Sequence, residues 1–196
     1  MGTVSLASGL AVAPMGWVLL LAATAAPRWR ELPERPGYPR DVSFSEGLWE
    51  SCVEVLARPG AACRPLPEEA ARLWPLRAAA VGSLLLGALA YVLAVLAARC
   101  WAPPPRPGLA AAAGLLLTLA GALYLGAASY AAHRLLEDLA SPQTPPAERF
   151  RPGACLYLGW SGGGAEVLAG VCLAANCRRK REAGAGPAAA PYEVDY

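Results

Sequence analysis

Long uncharged stretches alternate with short polar ones along this chain of 196 residues. Charged side chains are absent from residues 4–26, 78–98 and 109–132, and residues 153–175 contain a single one, Glu166. Each stretch reaches the ~20 residues that a helix needs to cross the hydrocarbon core of a bilayer. A helix also satisfies its backbone hydrogen bonds internally, which lipid requires. The pattern predicts four transmembrane helices.

The first stretch admits a second interpretation. LLLAATAAP, at 19–27, ends in small residues, as a signal-peptide cleavage site does. Residues 1–10 contain no Lys or Arg, however, and the apolar run is longer than a signal peptide requires. We therefore favour a retained first helix preceded by a short N-terminus, residues 1–3.

Alternating polar and apolar residues predict strands between the first two helices. DVSFSEGLW, at 41–49, alternates, and CVEVLA, at 52–57, is rich in β-branched residues. RPGA, at 58–61, supplies a turn. An isolated hairpin is only marginally stable in water, so we expect a covalent cross-link between its strands. PLPEEAARL, at 65–73, is predicted to form a short helix.

Basic residues predict the orientation. The connection 99–108 has two arginines and no acid, and the tail 176–196 opens with three arginines and a lysine. Cytoplasmic loops favour Lys and Arg, so we expect both segments and both termini inside. The loop 27–77 has eight arginines against eight carboxylates. It is expected outside, together with the loop 133–152.

The cysteines fall into two groups. Cys52 and Cys63 are the only ones in the loop 27–77, and disulfides persist outside the cell, so we expect these two to be bonded. Three others are expected near the cytoplasmic boundary, where palmitoylation occurs, although inert packing explains them equally well: Cys100, Cys172 and Cys177. No role is predicted for Cys155.

The composition is unlike that of a soluble domain, and the lack of catalytic groupings argues against an enzyme. Only 16% of residues are charged, against about 25% in a soluble domain. The single histidine, His133, has no cysteine or carboxylate grouping at ligand spacing, and no phosphate-binding glycine motif occurs. We expect no catalytic residues, no metal site, no cofactor and no nucleic-acid partner.

The order of the signature residues resembles the claudin family. Trp29, Gly47-Leu48-Trp49, Cys52 and Cys63 follow one another in the first outer loop of a four-span chain. Three later segments are similar to the end of the family's second helix, the end of its third and the start of its fourth: RC at 99–100, SYAAHRLLEDLASP at 129–142 and RPGACLYLGW at 151–160. The resemblance covers about residues 4–178.

That resemblance implies a membrane α-helical fold: a left-handed four-helix transmembrane bundle with a small antiparallel extracellular β-sheet. It implies homo- and hetero-oligomers with claudins, in cis and in trans, that form tight-junction strands in the plasma membrane. The protein would act as a paracellular barrier or an ion pore. The alternative is a claudin-like tetraspan outside tight junctions, of the channel-auxiliary or growth-arrest type. Many of those carry a glycosylation sequon in the first outer loop, and this chain has none there.

The resemblance also assigns roles to residues. Arg64, just after the second signature cysteine, and Arg58, on the hairpin turn, are the candidates for selecting anions; the alternative is a solvated arginine in a non-conducting barrier. Leu139 and Phe150 are the candidates for adhesion between cells. Leu139 stands where the family usually has an aromatic residue and Phe150 matches the family's later aromatic, so weak adhesion is expected. Capture by a PDZ domain is doubtful because the tail ends in Asp195-Tyr196.

The signature and one buried acid also suggest physical roles. Trp29 and Trp49 are expected either at the membrane interface or in the core of the sheet, with Gly47 allowing a bend. The family's arginine at the start of the second helix appears as Arg77, about one turn early, with Ala80 at the expected position. Glu166 lies near mid-bilayer, where an ionised carboxylate is costly. We expect it to be neutral and to donate a hydrogen bond, with Thr118 and Tyr91 at a similar depth.

Overall fold

Four long helices make up most of the described chain. The computed structural model describes residues 2–32, 39, 41–55, 60–66, 73–99, 107–143, 145 and 149–184. The helices are α1 (Gly2–Ala25), α2 (Trp74–Arg99), α3 (Pro107–Ala140) and α4 (Ala154–Gly184). All four are long and apolar enough to cross a membrane, so the predicted four-helix class is confirmed. α3 continues past residue 132, where its predicted span ends.

Small residues allow α3 and α4 to pack closely. A methyl group at Gly121 would lie 2.6 Å from the carbonyl oxygen of Gly163, and one at Gly114 would lie 2.7 Å from that of Gly170. Backbones can approach this closely only where side chains are absent, which is how helices associate in lipid. α4 packs mainly against α1 and α3, and α2 packs mainly against α3. α2 therefore lies diagonally across the bundle from α4.

The described strands form one five-stranded antiparallel sheet. They are β1 (Arg30–Leu32), β2 (Val42–Glu46), β3 (Glu50–Val55), β4 (Ala61–Pro65) and β5 (Arg151–Pro152), in the spatial order β4-β3-β2-β1-β5. The resemblance implied such a sheet, and the structure confirms it. β1 follows α1 directly and β5 precedes α4, so the sheet lies at the end of the bundle where α1 ends.

The predicted hairpin is β3 and β4. Cys52 and Cys63 are directly opposite each other in its register, and their sulfur atoms form a disulfide. Gly60, just before β4, has a φ of +137°, a conformation that glycine adopts without strain. The predicted disulfide cross-link is therefore confirmed.

Several predictions concern residues outside the described part of the chain. They are Arg58 in the turn, Cys100 after α2, most of the predicted helix at 65–73, and the C-terminal residues 185–196. The side chain of Cys177 is also outside it, although its backbone belongs to α4.

Candidate functional site

The end of α1 is joined to the sheet by the two signature tryptophans. The last turn of a helix leaves backbone carbonyls without a partner inside the helix. The indole Nε1–H of Trp29 donates to the carbonyl of Ala23 at 2.7 Å. That of Trp49 donates to the carbonyl of Thr24 at 2.9 Å. The start of β1 and the loop after β2 are thereby held to the same helix end.

The environments of these two indoles differ. Trp29 is 5% exposed and belongs to the core, whereas Trp49 is 42% exposed. Of the two interpretations offered by the sequence, the core role describes Trp29. Trp49 presents enough ring surface to meet a membrane interface while its N–H group is satisfied by the protein.

Arg77 connects α2 to the same loop. Its Nε donates to the carbonyl of Leu48 at 2.6 Å, and its guanidinium lies 5.3 Å from the ring centroid of Trp49. Leu48 itself is buried in the core. The sequence left Arg77 one turn early with Ala80 in the family position. In the structure Arg77 makes the contacts with Leu48 and Trp49, and Ala80 is fully buried.

Two glycines are needed here for space. The chain bends immediately after Gly47, and a methyl group at Gly47 would lie 2.6 Å from Cα of Pro27. A methyl group at Gly153 would overlap the carbonyl of Arg28, while the Gly153 N–H donates to the carbonyl of Trp29 at 2.9 Å. Gly47 thus permits the loop to lie on the end of α1, and Gly153 permits α4 to begin against it.

Cys155 and Tyr124 complete this junction, and the sequence predicted neither role. The Cys155 thiol is buried and donates to the carbonyl of Ala26 at 3.5 Å. The Tyr124 hydroxyl lies 3.0 Å from Oγ1 of Thr24, with its ring fully buried. A polar group inside an otherwise apolar span was the available signal, because such a group needs a partner.

The register divides the side chains of the sheet between two faces, since neighbouring residues on a strand point in opposite directions. The Arg64 face carries Arg30, Leu32, Phe44, Glu46, Ser51, Val53 and Arg64. The disulfide face carries Glu31, Ser45, Glu50, Cys52, Glu54 and Cys63. Glu50 and Glu54, which are close to Arg64 in sequence, therefore lie on the opposite face from it.

Among the described residues of its face, Arg64 is the uncompensated cation. Glu46 on the same face accepts a hydrogen bond from Nε of Arg30 at 2.7 Å and forms an ion pair with it. Arg64 is exposed on β4, and no described residue forms an ion pair with it. Towards α3 and Phe150, the Arg64 face borders a cavity of about 430 Å³ that Asp138 also lines.

The two candidate adhesion residues contact the protein's own core. Leu139 and Phe150 are partly buried, and both pack against the core cluster near the end of α1. The guanidinium of Arg30 lies 4.9 Å from the Phe150 ring centroid. Only the remaining exposed surface of each side chain is available to an opposing cell, so their adhesive role stays a prediction. Among the candidate lipidation sites, Cys172 is partly buried within α4.

Glu166 differs from its prediction in one respect. It is fully buried, as its depth implied, but neither carboxyl oxygen has a hydrogen-bond partner among the described residues. The expected hydrogen bond is therefore wrong. Thr118 donates instead to the carbonyl of Gly114 at 2.9 Å. On α2 the carboxyl lies against Gly87, where an added methyl group would be 2.9 Å from its Oε1.

Comparison with known proteins gives consistent matches along the chain. The model of the PMP-22/EMP/MP20/Claudin family matches residues 3–173. Claudin-19 of Homo sapiens is 31% identical, over 88% of this chain and 80% of its own length. Claudin-7 of Mus musculus is 29% identical, over 86% and 84%. Claudin-23 of Homo sapiens is 33% identical, over 93% of this chain and 65% of its own length.

Proposed function

This chain belongs to the PMP-22/EMP/MP20/Claudin family, and on that premise we propose that it polymerises with claudins into tight-junction strands. In those strands it controls permeability between cells, as a barrier or an anion-preferring pore. Its sheet faces the extracellular space, and both termini lie in the cytoplasm.

The junction between sheet and bundle supports a role in strands. A protein that contacts neighbours in its own membrane and in the opposing one must hold its outer sheet in a fixed orientation. Here the sheet is closed by the Cys52–Cys63 disulfide. It is joined to two different helices, to α1 through Trp49 and to α2 through Arg77. Attachment of this one loop to two helices restricts rocking of the sheet on the bundle.

The charge distribution supports this orientation. The basic residues at 178–181 belong to the far end of α4, and Arg99 ends α2. Both positions are at the opposite end of the bundle from the sheet, because α2 begins and α4 begins beside it. Positively charged residues favour the cytoplasmic side, which leaves the sheet outside.

The single observation that carries the anion preference is the exposed Arg64 on the edge strand β4, which forms an ion pair with no described residue. Glu46 on its face is paired with Arg30, and Glu50 and Glu54 lie on the other face. A fixed cation beside a narrow aqueous path attracts anions and opposes cations. If no path opens along this face, the same arginine is a solvated residue of a barrier.

Expression in cells that lack tight-junction strands tests the proposal. Freeze-fracture electron microscopy should show continuous strands at cell contacts. Transepithelial resistance and a dilution potential across a monolayer should then distinguish a barrier from a pore. Protein that reaches the cell surface without forming strands, alone or with a co-expressed claudin, would overturn the proposal and favour the tetraspan outside tight junctions.

A further inference from the structure

The carboxyl of Glu166 occupies the centre of the bundle between two helices that lie diagonally apart. It projects from α4 and reaches α2, where a methyl group at Gly87 would lie 2.9 Å from its Oε1 and 3.4 Å from its Oε2. On the way it passes α1, where a methyl group at Gly16 would lie 3.1 Å from its Cγ. Both neighbouring helices therefore have a glycine where the side chain passes.

Trp17 contacts the same point on α2. Its Cδ1 would lie 3.3 Å from a methyl group at Gly87, and its Nε1 donates to the carbonyl of Leu84 at 3.0 Å. α1 and α2 otherwise share a much smaller interface than α4 shares with α1 or α3. Trp17 and Glu166 thus both meet α2 at Gly87, on the side of the bundle where α2 has little other contact.

Among the described residues, none forms an ion pair or a hydrogen bond with this carboxyl. On α1 the carboxyl side chain passes Gly16, and on α2 it meets Gly87, which the Trp17 indole also approaches. The uncharged stretches of α1, α2 and α3 contain no Asp, Glu, Lys or Arg. Of the titratable hydroxyls, that of Tyr124 is bonded to Thr24. An ionised carboxylate at this position would be buried without a counter-charge, which is strongly unfavourable.

We propose that Glu166, in its protonated form, is a latch across the bundle axis that holds α2 in place through Gly87, and that ionisation of the carboxyl releases α2. The neutral acid fits between the glycines as a side chain of matched size. The carboxylate requires water or a cation, which can reach it only if α1 and α2 separate. The latch is independent of the proposed junctional role, because it concerns the bundle and not the sheet.

A double-mutant cycle tests the size match. Gly87→Ala should lower the thermal unfolding midpoint of the purified protein in detergent, and Glu166→Ala in the same chain should relieve part of that loss. Gly82→Ala is the matched control on α2, because its methyl group would find its nearest neighbour at 3.9 Å. It should leave the midpoint unchanged or slightly raised. Equal effects at Gly87 and Gly82, or additive effects at Gly87 and Glu166, would overturn the latch.

A pH series tests the protonation. Carboxyl groups are protonated at low pH, so the latch is closed there and opens as the pH rises. The wild-type midpoint should therefore fall with rising pH more steeply than that of Glu166→Gln, which keeps the shape and cannot ionise. The infrared carbonyl band of a protonated acid should be present at neutral pH in the wild type and absent from Glu166→Gln. Parallel pH curves, or identical infrared spectra, would overturn the proposal.

Discussion

The indole N–H of Trp49 donates to the carbonyl of Thr24 at 2.9 Å, across twenty-five positions of sequence. This bond connects the loop after β2 to the last turn of α1. With the corresponding bond from Trp29 to Ala23, it makes the two signature tryptophans caps of a helix end. The two signature tryptophans, Trp29 and Trp49, thus attach the sheet to the bundle.

Removing the Trp49 donor should weaken that attachment. Trp49→Phe keeps an aromatic ring over Arg77 but leaves the Thr24 carbonyl without this partner, which should cost about 1 kcal/mol of stability. The thermal unfolding midpoint of the purified protein measures the loss. Trp74→Phe is the control, because Trp74 is 71% exposed. Equal midpoints for the two variants would mean that the bond contributes nothing.

The Cys52–Cys63 disulfide should be present in the mature protein. Mass spectrometry after alkylation should find both residues unmodified without reduction and both alkylated after it. Replacing the pair by serine should destabilise the sheet by about 2–5 kcal/mol and reduce surface expression. Free thiols at both positions in protein taken from the cell surface would contradict the prediction.

Arg64 should determine charge preference if the protein conducts. Arg64→Asp reverses the uncompensated charge of the Arg64 face, so the dilution potential should shift towards sodium over chloride. Glu50→Lys changes the charge of the disulfide face by the same two units, in the opposite direction, and should shift the potential much less. An unchanged potential for Arg64→Asp, in a wild type that conducts, would exclude Arg64 from the ion path.

Substitutions at Glu166 should separate a neutral from a charged side chain. Glu166→Gln preserves size and neutrality, so surface expression should remain nearly normal. Glu166→Lys places a longer, cationic side chain in the glycine-lined space near mid-bilayer. At that depth a charge costs on the order of 3 kcal/mol, so retention in the secretory pathway is expected. Surface biotinylation measures both. Equal loss for the two variants would mean that Glu166 is ionised and has a cationic partner.

The sequence by itself determined the class of this protein. Three uncharged stretches and a fourth with one charged residue are each long enough to span a bilayer. Only helices suit such stretches, because lipid offers no hydrogen bonds to the backbone and a helix satisfies its own. The disulfide was equally accessible from sequence, since Cys52 and Cys63 were the only two cysteines of one loop, with a turn between them. Both inferences depend only on local composition and on the spacing of residues, which can be taken from a single sequence.

Only the tertiary structure decided which groups meet across long separations. It placed the Cys155 thiol on the carbonyl of Ala26, Arg77 on the carbonyl of Leu48, and Glu166 against Gly87. A helical period shows that a residue lies on some face but leaves open which neighbour that face meets. The rotation and depth of each helix depend on packing against the other three. For the same reason depth alone placed Tyr91 level with Glu166. In the structure the carboxyl lies instead against Gly87, one turn away on α2, where the absence of a side chain leaves room for it.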